Sequence, residues 1–139
     1  MNKSEARQIV KYALSSVDPG FLVEKSLKLN NSVLFIGPNK FDLNIFERIH
    51  VIGAGKGAVF LYKGLKKVLD KKLDGGIIVS LDEHKFSEKK VEFFAGTHPI
   101  PDKKSLNSGI KVVEYIKKNI RKNDLVFFSF NRWCIRIIC

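Results

Sequence analysis

Residues 48–58 read Arg-Ile-His-Val-Ile-Gly-Ala-Gly-Lys-Gly-Ala: a short apolar run, then Gly53, Gly55 and Gly57, then a helical pattern opening near Ala58. A strand that turns through glycines into a helix aims backbone N–H groups at one point. The helix dipole adds partial positive charge there. Lys56 places a full positive charge inside the turn. The segment therefore predicts an α/β unit and, at its turn, a cradle for a phosphate or a carboxylate.

The flanking segments extend that prediction. Ser4 is the expected N-cap of a first helix, in which Ala6, Ile9, Val10, Ala13 and Val17 repeat at helical spacing until Asp18-Pro19-Gly20 stops it. Phe21 to Leu29 reads as a second helix, Ser32 to Ile36 as a strand closed by Gly37-Pro38, and Phe41 to Ile45 as a lead-in to the strand at 48–52. Ala58 to Leu69 is helical, with Leu61, Leu65, Val68 and Leu69 on one face. Strands follow at Gly76–Ser80, Val91–Ala95 and Leu125–Phe128. Between the last two, a helix from Lys103 to Asn119 carries Leu106, Ile110, Val113 and Ile116 (or Ile120) on one side. Apolar strands alternating with helices predict a three-layer fold: a mostly parallel, Rossmann-like sheet with helices on both faces.

Composition limits the partners. The chain has 139 residues, a size at which a domain buries about 68–70% of its unfolded surface. The net charge is +11, but the lysines are scattered over helix faces and turns, with no interleaved aromatics, so nucleic acid is not expected as a partner. No apolar run is long enough to span a bilayer, and the polar N-terminus has no signal-peptide core. A cytoplasmic location without membrane attachment is the expectation. Cys134 and Cys139 match no zinc or redox spacing and are expected to be free thiols. Three scattered histidines predict no metal site, and His50 and His84 read as structural or exposed.

The glycine turn has three readings. Gly53-x-Gly55-x-x-Ala58 fits a relaxed dinucleotide fingerprint, with Asp82 beyond the next strand available to a ribose. This keeps an NAD(P)-binding module, or a hydroxypyruvate reductase-type oxidoreductase, as the alternative function. A P-loop is excluded, because the spacing before Lys56 is wrong and no Ser or Thr follows it. The third reading is a turn that serves only to pack helix on sheet. A second loop, Gly96-Thr-His-Pro-Ile-Pro-Asp102, lies at the carboxyl end of a strand, where ligands sit in open α/β sheets. Pro99 and Pro101 stiffen it. His98 lies near the Lys56 loop if the two strands are neighbours. Asp102 is also a good N-cap for the following helix.

Together, the motifs at 51–58 and 96–102 resemble the N-terminal region of the glycerate 2-kinase family, the kinases with a C-terminal MOFRL domain. Asp18-Pro19 and Asn123-Asp124-Leu125-Val126 fit the same pattern, and the resemblance covers residues 4 to about 129. It implies ATP- and Mg²⁺-dependent phosphorylation of D-glycerate at O2, in a cleft that a C-terminal domain completes. It implies Lys56 as the catalytic and substrate-binding lysine that stabilises the transferred phosphoryl group, and Gly53 and Gly55 as the points where backbone approaches the ligand. His98 and Asp102 would be further substrate-binding residues.

The resemblance fails after residue 129. Family members continue with a glycine-rich Ser/Thr-Gly-Gly-Ala/Gly-Ser segment, where this chain reads Phe130-Asn-Arg-Trp-Cys-Ile-Arg-Ile-Ile-Cys139. Codons for Asn131 to Ile138, moved forward by one nucleotide, can read Thr-Gly-Gly-Ala-Ser-Gly-Leu. The expectation is a partial N-terminal domain over 1–129, an aberrant frameshifted tail over 130–139, and an inactive fragment.

Overall fold

A computed structural model describes residues 2–130 and, as backbone, 134–138. Two helices, α1 (Lys3–Ser16) and α2 (Pro19–Ser26), lead into three short strands, β1 (Leu27–Asn30), β2 (Val33–Ile36) and β3 (Asn39–Asp42). Then come β4 (Ile49–Ala54), α3 (Ala58–Leu69), β5 (Gly75–Leu81), β6 (Val91–Gly96), α4 (Lys103–Asn119), β7 (Leu125–Phe130) and β8 (Cys134–Ile138).

The main sheet has the order β6-β5-β4-β7-β8. The first four strands run parallel and β8 pairs antiparallel to β7. α3 covers one face and α4 the other, as the alternation of apolar strands and helices predicts. Val51, Ile78, Leu125 and Phe127 pack toward α3, and Ile52, Ile77 and Val126 toward Tyr115 of α4. Strand residues alternate between the two cores, so both faces of each central strand are apolar.

Several sequence expectations need correction. α1 is capped by Asn2, not Ser4: the Asn2 side chain accepts from the Glu5 N–H at 2.9 Å while the Glu5 carboxylate accepts from the Asn2 N–H at 2.8 Å, a reciprocal capping box. The second helix ends at Ser26, because Leu-Lys-Leu-Asn at 27–30 alternates buried and exposed residues, a strand period. It forms an antiparallel meander with β2 and β3 through two-residue turns at Asn31-Ser32 and Gly37-Pro38. Asn31 and Gly37 take positive φ (54° and 55°), as tight hairpins require. The segment 41–45 is split between the end of β3 and a 3₁₀ turn at Leu43–Ile45.

The apolar stripes of two helices are also misassigned. α4 turns Val112, Tyr115, Ile116 and Ile120 to the sheet and leaves Leu106, Ile110 and Val113 exposed at 65, 47 and 51%. α1 buries no residue, and Ile9, Val10 and Val17 face outward. The expected aberrant tail falls partly outside the described residues (131–133 and 139). Its remainder, 134–138, runs as an edge strand on β7. The free-thiol reading of Cys134 and Cys139 concerns side chains outside the described residues.

Candidate functional site

The loops after β4, β5 and β6 line the carboxyl edge of the sheet. The first is the lysine loop. Gly53 sits where β4, β5 and the start of α3 crowd together: a Cβ there would stand 2.7 Å from Ile78 Cδ1 and 3.2 Å from Ala58 Cβ. Gly55 adopts φ 117°, a conformation that L side chains rarely adopt. Gly57 is the N-cap of α3, with a helical backbone and open space where a Cβ would be.

The hydrogen bonding of this loop is one-sided. Its carbonyls are all engaged within the chain: Gly55 O accepts from Ala58 N at 3.1 Å, Lys56 O from Ser80 Oγ of β5 at 3.4 Å, and Gly57 O from Leu61 N of α3 at 3.0 Å. The Gly55 N–H donates to Val79 O at 2.9 Å. The N–H groups of Lys56 and Gly57 have no acceptor among the described residues. The Lys56 side chain is exposed beside them. Unspent N–H donors, a helix N-terminus and an ammonium group thus share one surface, an arrangement that accepts an anion.

The second loop differs from expectation. β5 lies between β4 and β6, so the strands carrying the two motifs are not neighbours. At sheet spacing their ends are about 10 Å apart, two strand widths. His98 is exposed, preceding Pro99 through a cis peptide bond. Asp102 caps α4: its Oδ1 accepts from Lys104 N at 2.8 Å and Ser105 N at 3.2 Å, and from Thr97 Oγ1 at 2.8 Å. The Thr97 hydroxyl bond and these N–H groups hold its carboxyl below the ordinary range. Thr97 N also donates to Ser105 Oγ at 2.9 Å, closing the loop on itself. Of the two candidate site residues in this motif, His98 is exposed and Asp102 is occupied by the helix.

Between them lies a segment that motif reading passed over. Ser80, at the end of β5, is 3% exposed, and its hydroxyl lies between Lys56 O and His84 Nδ1 (3.3 Å). His84 is half-buried, edge-on to Phe60 of α3, so it is part of the scaffold behind the lysine loop. Asp82 pairs with Lys104 of α4 at 2.9 Å, and that bond holds its carboxyl down. The acidic group that the dinucleotide reading offers to a ribose is engaged by a lysine. His50 is structural, as expected, buried at the opposite edge with Nδ1 2.9 Å from the Tyr115 hydroxyl. Among the described residues no three His, Cys, Asp or Glu side chains are grouped to hold a cation. No described helix is long and apolar enough to cross a membrane.

Residues 5–131 match the model of a family described as a domain of unknown function, DUF4147. Among curated proteins, the chain is 30% identical over 119 residues to the glycerate 2-kinase of Picrophilus torridus, covering 85% of this chain and 26% of that protein. It is 28% identical over 130 residues to the D-glycerate 2-kinase of Thermotoga maritima, covering 91% and 27%. The fold is shared with the crystal structure of the PH0495 protein from Pyrococcus horikoshii OT3, at a TM-score of 0.74 and 25% identity over 92% of this chain and 28% of that one. The chain therefore spans about a quarter of the length of the relatives it matches.

Proposed function

Because this chain belongs to the DUF4147 family, we propose that it carries the substrate-loop wall of a kinase that phosphorylates D-glycerate at O2 with ATP. The observation that carries this reading is the one-sided lysine loop: carbonyls engaged within the chain, the N–H groups of Lys56 and Gly57 without an acceptor among the described residues, and the exposed Lys56 alongside. Phosphoryl transfer depends on positioning and on neutralising charge spread over oxygens. Lys56 meets the second need, and the backbone on either side of it, at Gly55 and Gly57, meets the first by letting a ligand approach; Gly53, buried against Ile78 and Ala58, serves the packing beneath.

D-glycerate would enter with its carboxylate or its reacting oxygen against the loop. His98, exposed on the next motif, is the substrate-facing residue there, and Asp102 acts through the loop it caps. The nucleotide and its metal ion are assigned no ligands in this chain. Relatives are about four times longer, and the wall that closes the cleft, excludes water and holds the nucleotide belongs to the region beyond the match.

Calorimetric titration of the 139-residue chain with D-glycerate tests the reading. Saturable binding that is lost in Lys56→Ala is the expected result, with no turnover when ATP and Mg²⁺ are added. Binding unchanged in Lys56→Ala would sink it.

A further inference from the structure

Ser80 is assigned by neither motif, yet it is the buried polar side chain in contact with the lysine loop. Its hydroxyl has a single proton, and the Lys56 carbonyl can only accept. Both contacts of Ser80 Oγ are satisfied together when Ser80 donates to Lys56 O and an Nδ1–H of the His84 ring donates to Ser80 Oγ. Phe60 packs edge-on against the His84 ring at 5.0 Å between centroids, which fixes the ring's orientation.

This contact has a directional consequence. In a trans peptide the C=O and the following N–H point in opposite directions. Drawing Lys56 O toward β5 therefore turns the Gly57 N–H away from the sheet, toward the open surface where Lys56 stands. That N–H has no acceptor among the described residues, and the space beside Gly57 is clear. We propose that Ser80, oriented by His84, is a positioning residue that sets the plane of the Lys56–Gly57 peptide and aims the Gly57 N–H at the anion held by Lys56. The inference rests on the reading of this loop as a substrate loop, and it adds a residue pair that neither motif contains.

Two measurements on the full chain test it, the first of them independent of that reading. The first is amide hydrogen exchange at Gly55 and Ala58, whose hydrogen bonds bracket the Lys56–Gly57 peptide. Ser80→Ala is expected to speed exchange at these amides by about fivefold, the factor that accompanies loss of one neutral hydrogen bond, and Ser80→Thr to restore it. The second is D-glycerate titration, where Ser80→Ala is expected to weaken binding by a similar factor and Ser80→Thr to recover it. Unchanged exchange in Ser80→Ala overturns the proposal. Faster exchange that Thr does not restore also overturns it, since packing and not the hydroxyl would then be responsible. Should Ser80→Ala fail to fold, His84→Asn at its half-buried position is expected to loosen the same amides to a smaller degree, and unchanged exchange there overturns the proposal. Absence of D-glycerate binding by the unsubstituted chain would remove the substrate-loop reading, while the exchange comparison still decides whether Ser80 holds the loop.

Discussion

At Gly55 the backbone takes φ 117°, whereas at Gly57, two residues on, it is helical with open space beside it. The two glycines therefore respond differently to the same change. Gly55→Ala is expected to cost about 1–3 kcal/mol of backbone strain, and Gly57→Ala under about 1 kcal/mol; urea unfolding of the two variants measures both. In the sequence the three glycines of the turn look alike. What separates them is the approach of Ile78 to Gly53, the twist at Gly55 and the vacancy at Gly57, none of which a single sequence encodes locally. Lys56 stands out in the sequence as a candidate because a lysine between glycines at a strand–helix turn has few structural uses, and the structure shows it exposed there. Ser80 was not, because a serine ending an apolar strand carries no signal until the neighbouring loop is folded against it. His98 and Asp102 stand in one motif in the sequence, but that Asp102 is drawn into the helix cap while His98 is left exposed depends on Thr97 and Ser105.

The boundaries of α3 and α4 were legible because each opens at a clear start signal and runs until a turn. Their orientation was legible for α3 alone. α4 carries apolar residues on two faces, and periodicity cannot say which one the sheet takes. Since Ile110 lies on the outer face, Ile110→Lys is expected to shift stability by no more than about 0.5 kcal/mol. On the inner face, Tyr115→Phe leaves the buried His50 Nδ1 without its partner and is expected to cost about 1–3 kcal/mol. Thermal unfolding of the pair distinguishes the two faces. The α2–α3 contact makes a stricter demand. A Cβ on Gly64 would overlap the backbone of Gly20, so Gly64→Ala must push the helices apart. β1 was missed because four residues are too few for alternation to outweigh the helical run before them.

Across the whole molecule, the two edges of the sheet divide their roles. The carboxyl edge has N–H donors, at Lys56 and Gly57, without an acceptor among the described residues. The amino edge is closed by Arg48, whose guanidinium donates to both carboxylate oxygens of Asp124 (3.1 and 2.7 Å) and to Asn119 O (2.6 Å), joining the starts of β4 and β7 to the end of α4. Burial opposes ionisation of Asp124, but the Arg48 and Arg121 N–H bonds outweigh it and hold the carboxyl below its ordinary value. Burial lowers the pKa of His50 as well, against the pull of Asp124. Both shifts have the same sign for stability. The unfolded chain takes up a proton that the folded one resists, so stability declines as pH falls below the ordinary histidine value of 6.5 and again below the ordinary aspartate value of 3.8. Acid titration of the unfolding free energy is expected to show both steps, with the upper one absent in His50→Gln.

The strand order also sets a timetable. β4 ends in the lysine loop and lies between β5 and β7, so its second edge has no partner until Leu125–Phe130 has left the ribosome. The meander and the β4–α3–β5 unit join segments close in sequence and can close early, whereas β7 must come from far along the chain. A nascent chain that has reached β6 therefore displays an open row of backbone donors and acceptors along the strand that feeds the anion cradle. The lysine loop itself is bonded only within the β4–α3–β5 unit, so it can form early on a strand whose other edge stays open until β7 arrives.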